Sequence, residues 1–165
     1  MPAWSADGQW LLFVSGEHYD CDPYLVRRDG TGLKKAGDRG GYRGAVSAFD
    51  VFDFHDGSSD VPVWAKDSRS FYYTAKVGQN VELMRASLVG RVRQLTHSPP
   101  GALNYHPVPS PDGQWLIIGS TRTGTRQLYL LPADGGELRP ITQVAPGHAA
   151  MFASWQPAAS EGGKR

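Results

Sequence analysis

A chain of 165 residues that is 40% apolar and 11% aromatic carries enough side chain to bury one domain core, which excludes a disordered tail. Seventeen basic residues against sixteen acidic ones leave a net charge of +1 with no long run of like charge. That argues against nucleic acid as the partner, since a phosphate-binding surface needs clustered Lys and Arg. The lone cysteine, Cys21, excludes an intrachain disulfide, and no apolar run is long enough to predict a membrane span.

The chain starts Met1-Pro2-Ala3-Trp4, with none of the layout of a signal peptide. As written it reads as cytoplasmic; an export signal lost upstream would make it periplasmic or secreted. From Pro2 the sequence reads PAWSADGQWLLFVS, and the phrase returns as PVWAKDSRSFYYTA from Pro62 and PVPSPDGQWLIIGS from Pro107. Asp7 aligns with Asp112, Trp10 with Trp115 and Tyr24 with Tyr129, each pair 105 positions apart. The middle copy follows at 45 from the third, through Asp67, Leu83 and Gly90. Self-similarity at such a period marks a repeat architecture.

Each unit reads as four short strands. In the third they fall near Tyr105–Val108, Trp115–Ser120, Gln127–Leu131 and Leu138–Thr142. Ser110-Pro111-Asp112-Gly113 predicts a type I turn closed by a bulge, with Pro where φ near −65° is wanted and Gly where φ turns positive. The second strand is nearly all apolar, as a strand covered on both faces should be. Four antiparallel strands per unit, repeated about an axis, predict an all-β propeller with three blades and one extra strand. The expected bounds are 1–36 for blade one, 37–60 for an insertion, 61–97 and 103–143 for blades two and three, 149–156 for an orphan strand and 158–165 for a disordered tail. Propellers close with about four to eight blades. A longer parent chain or a homodimer would therefore complete the ring.

The signature Pro2-Ala3-Trp4-Ser5-Ala6-Asp7-Gly8, then Gln127-Leu128-Tyr129-Leu130-Leu131 and Pro140-Ile141-Thr142, resembles the TolB-type β-propeller repeat family. It departs from that pattern at Pro109, in place of Trp, and Ser68, in place of Gly. The resemblance implies a rigid scaffold that binds a protein or cell-envelope component without catalysis. It equally covers a metal-dependent polysaccharide lyase or hydrolase of the oligogalacturonate type, and the propeller of a prolyl-oligopeptidase-like peptidase.

The candidate site residues follow from the repeat. His55, His106 and His148 lie at or near the start of an innermost strand, where side chains face the central channel, and three imidazoles there would hold a divalent metal with Gln143 or Asp60 beside them. The bland alternative is separate surface histidines, as with His18 and His97. In the insertion, Asp53, His55, Asp56 and Asp60 offer oxygen and nitrogen ligands without EF-hand spacing, or cap turns while Phe49, Phe52 and Phe54 strap the loop down. Cys21, between Asp20 and Asp22, reads as inert because neighbouring negative charge disfavours the thiolate. Trp4, Trp10, Trp64, Trp115 and Trp155 read as packing between blades, and Arg27-Arg28 and Lys34-Lys35 as solvated edge charges. No G-x-S-x-G elbow or P-loop occurs.

Overall fold

The computed structural model describes residues 2–17, 20–41 and 61–156. The first sheet holds β1 (Ala3–Trp4), β2 (Trp10–Glu17), β3 (Asp20–Arg27) and β4 (Lys34–Lys35). The second holds β5 (Val63–Trp64), β6 (Ser70–Val77), β7 (Asn80–Ser87) and β8 (Val92–Gln94). The third holds β9 (Asn104–Pro109), β10 (Trp115–Ser120), β11 (Gln127–Pro132) and β12 (Arg139–Pro140). Each is a four-stranded antiparallel meander in chain order. They are the three expected blades.

The turn between the first two strands forms as its chemistry dictates. Gly113 N–H reaches the Ser110 carbonyl at 2.9 Å, Gly8 reaches Ser5 at 2.8 Å, and both glycines take positive φ, 76° and 67°. Ser68 holds the same conformation at φ 53°, although a side chain disfavours it. A carboxylate locks each turn. Asp112 accepts from the Gln114 amide and the Ser110 hydroxyl, and Asp7 from Gln9 and Ser5. In the middle blade Ala65 replaces that serine, and Ser70 supplies the hydroxyl to Asp67 instead.

The blades stack through the faces of their second and third strands. On β6, Phe71 and Tyr73 pack with Leu12 and Leu25 of blade one, while Tyr72 on the other face packs with Leu116 and Ile118 of blade three. β6 is therefore buried on both faces, and β2, with one described neighbour, keeps Leu11, Phe13 and Val14 only half-buried. Trp64 links blades two and one by donating its Nε1–H to the Ala3 carbonyl at 2.9 Å. Trp4, its repeat equivalent, is 55% exposed and has no preceding sheet among the described residues to bond. It is not packing, unlike the half-buried Trp10, Trp64, Trp115 and Trp155. The basic pairs also do more than meet solvent: Lys35 ion-pairs with Asp22 at 2.5 Å, and Lys34 donates to the Leu88 carbonyl across the blade boundary.

A second repeat device closes each blade. A side chain near the start of the third strand, its third residue in blades one and two and its first in blade three, accepts the backbone N–H of a residue just beyond the fourth: Asp22 from Arg39 (2.7 Å), Glu82 from Ser98 (2.8 Å) and Gln127 from Val144 (3.1 Å). Glu82 also accepts from the Thr96 and Ser98 hydroxyls and from the side-chain amides of Asn80 and Asn104. Asn104 belongs to β9, so this buried carboxylate fixes the innermost strand of blade three against blade two.

Residues 149–156, expected as a strand, form no ladder. Ala149 bridges Arg126 in parallel, and Trp155 donates its Nε1–H to the Val108 carbonyl at 2.8 Å. A segment with one bridge and a few side-chain contacts is held in place but lacks the paired backbone that makes a strand. Residues 157–165, which include the expected tail, lie outside the described residues, as does 42–60, most of the expected insertion.

Candidate functional site

β9 carries a bulge. Pro109 and Val108 face Leu116 and Ile117, then Tyr105 and Asn104 face Gly119 and Ser120, so His106 and Pro107 oppose Ile118 alone. Two residues against one is a β-bulge, a device that re-aims a side chain. His106 supplies its left-handed residue, with φ 48°. Gly119 makes the room, because a Cβ there would collide with the Tyr105 ring.

Forty-six positions later Phe152 adopts φ 56°, and it stands to Trp155 as His106 stands to Pro109. The two left-handed residues are thus the same repeat position on neighbouring innermost segments. Their rings stack, with centroids 4.9 Å apart and planes at 24°. Tyr105 meets His106 edge-on at 5.3 Å, and the Arg126 guanidinium lies 6.0 Å from the Tyr105 ring. Arg126 also donates from Nη1 to the Met151 sulfur at 2.9 Å. Burial pulls the Arg126 pKa below its usual value, with Tyr105 opposing, but a guanidinium stays charged throughout the physiological range. Phe152 is 74% exposed despite its size. Non-glycine residues held at positive φ cluster at functional sites, and here two of them build one ring stack.

The arrangement can do one thing well: present a flat apolar face beside a fixed positive charge. Both ring nitrogens of His106 are shielded from solvent, so a face rather than a lone pair is offered. The other sequence candidates are dispersed or undescribed. His148 is exposed in a turn, its N–H on the Ala145 carbonyl at 3.1 Å. Gln143 is exposed on a groove of about 590 Å³ with Gln127 and Tyr129. His97 meets the Gln94 side chain at 3.2 Å. His18, Asp53, His55, Asp56 and Asp60 lie outside the described residues. Among the described residues no group of three or more His, Cys, Asp or Glu side chains converges to hold a metal. Sequence reasoning missed Phe152, Arg126 and Met151. Phe152 was findable, because the Trp155 register already set it against His106.

Known proteins share this fold. A protein assigned as TolB from Agrobacterium tumefaciens superposes with a TM-score of 0.63 at 22% identity, over 87% of this chain and 46% of that one. TolB from Acinetobacter baumannii gives 0.60 at 21% identity, over 86% and 31%. A prolyl endopeptidase gives 0.62 at 16% identity, over 88% and 22%. The fold is a β-propeller. No family model matches the chain. An uncharacterized protein of Agrobacterium fabrum is 31% identical over 103 residues, 62% of this chain and 32% of its own length. The chain thus spans about a third of that curated relative and less than half of the solved propellers.

Proposed function

We propose that the chain is a non-catalytic binding or scaffold propeller whose ligand is a protein or a cell-envelope component. The observation that carries this reading is the exposed face of Phe152, held on His106 by two left-handed residues of one repeat position. Strain of this kind is maintained where a side chain must point a set way. Propeller ligands commonly meet the ring at one end of its channel, where the innermost strands start. An envelope ligand implies a periplasmic or secreted site of action. Further blades would come from a second copy or a longer parent chain, and the mass in solution separates these.

The test is binding of envelope oligosaccharides and an envelope peptide library to the intact chain and to Phe152→Ala. Saturable binding of one class, lost in the variant at unchanged melting temperature and without product, supports the reading. Cleavage of any of these compounds, or binding indifferent to Phe152, overturns it. Unsaturated uronide released from polygalacturonate with a divalent ion would establish the lyase alternative instead.

A further inference from the structure

Away from the channel wall, the outer rim of blade two holds a groove of about 400 Å³ lined by Arg69, Arg85, Arg91 and Arg93 with Asp67 and Ser87. Arg85 and Arg93 stand directly opposite each other on β7 and β8. Like charges so placed repel. The molecule answers with Asp134 of blade three, whose carboxylate pairs with both guanidinia, while Asp67 takes a second hydrogen bond from Arg85. Arg69 and Arg91 lack any such partner. No acidic side chain pairs with either among the described residues, and Arg69 reaches Asp7 only as a charge through space. Both side chains are exposed.

β8 is the outer edge of its sheet. Ser87 N–H bonds the Arg91 carbonyl, and Leu95 N–H bonds the Leu83 carbonyl. In an antiparallel ladder hydrogen-bonded pairs alternate, so residues 91, 93 and 95 turn their backbone inward to β7. Val92 and Gln94 therefore turn their N–H and C=O groups outward. The edge presents two donors and two acceptors at strand spacing, with Arg91 and Arg93 side chains about 7 Å apart on one face. Edge arginines deter pairing between like strands, and the same charge selects an acidic one.

We propose that β8 accepts an extended acidic peptide as an added strand, one carboxylate seated at Arg91 as Asp134 is seated at Arg85 and Arg93, with Arg69, just before β6 in the same groove, adding positive charge. Only a peptide answers both features: an acidic saccharide or inorganic phosphate supplies the charge but no amide ladder for Val92 and Gln94. This proposal is independent of the channel-wall reading and stands if that reading fails.

The experiment is fluorescence anisotropy of a labelled ten-residue peptide of alternating Glu and Thr with the full chain. The comparisons are its Gln-Thr analogue, a backbone N-methylated version, polygalacturonate and inorganic phosphate. Binding of the acidic peptide should weaken with salt and fall at least about tenfold in Arg69→Ala/Arg91→Ala, as loss of charge-assisted hydrogen bonds implies. N-methylation should weaken it comparably, and hydrogen exchange at Val92 and Gln94 should slow in the complex. Arg91→Glu should transfer preference to a Lys-Thr peptide, a gain that misfolding cannot mimic. Equal binding of the Gln-Thr peptide, indifference to N-methylation, or displacement of the peptide by polygalacturonate or phosphate without exchange protection would overturn the proposal.

Discussion

Trp155 donates its indole N–H to the Val108 carbonyl at 2.8 Å, the same bond that Trp64 makes to Ala3 at 2.9 Å. Both join the innermost segment of one repeat to that of the repeat before it. Pro109 occupies the equivalent position in blade three and has no donor to give, so the boundary between blades two and three is held otherwise, by Glu82 and Asn104 and by apolar packing. Trp64→Phe keeps most of the ring and removes the bond. It should destabilise the chain by about 1 kcal/mol, measured by urea unfolding. An unchanged midpoint would mean the bond contributes nothing beyond the ring's packing.

Glu82 is the stronger test of the same boundary. Five donors converge on its two oxygens. Glu82→Ala removes the acceptor they share, and although the Asn80 and Asn104 amides keep other partners, the buried Thr96 hydroxyl and the Ser98 amide lose theirs, which should cost about 3 kcal/mol. Glu82→Gln should be milder, because Gln127 fills the repeat-equivalent place in blade three and still accepts from Thr142 and Val144. Thermal unfolding of the two variants side by side checks the order, which fails if Gln is as damaging as Ala.

Ser68 sits where the other two blades have Gly8 and Gly113, at a φ of 53°. Ser68→Gly removes the steric strain and loses only a long hydrogen bond to the Asp7 amide, 3.3 Å. A stabilisation of about 0.5–1 kcal/mol should result, seen as a raised unfolding midpoint. The converse, Gly113→Ala, should destabilise, since its Cβ would meet Lys66 and its φ is 76°.

The turn carboxylates set the acid limit. The Ser5 hydroxyl and then the Gln9 amide hold Asp7 below its usual range, and Ser110 and Gln114 do the same to Asp112. At Asp67 burial pushes upward, and bonds from the Arg69 amide and Ser70 outweigh it. Folded values lie below unfolded ones. The stabilisation is therefore fully present above the unfolded value of about 3.9 and is lost as pH falls through the folded values. Melting temperature should drop steeply only below about pH 4, and Asp7→Asn/Asp112→Asn, which keeps both oxygen acceptors, should flatten that drop.

The repeat was legible because its signals are local. Asp-Gly turns require a positive φ, apolar runs require cover, and both recur at fixed spacing from Asp7 to Asp112. The same spacing located His106 correctly on an innermost strand but suggested imidazoles as its company. The ring beside it belongs to Phe152, because a bulge and a left-handed backbone turn the side chain, and neither is written in residue type alone.

Residue order by itself determined the strands and turns of the three sheets, since each depends on contacts within about 20 residues, but not that 149–156 would stay without a ladder. Tertiary structure alone decided which carboxylate answers which cation. Asp134 reaches Arg85 and Arg93 from another blade, 49 and 41 positions away, while no carboxylate among the described residues pairs with Arg69 or Arg91. Charges at that separation meet only after the sheets have stacked, so no pattern along the chain could have paired them.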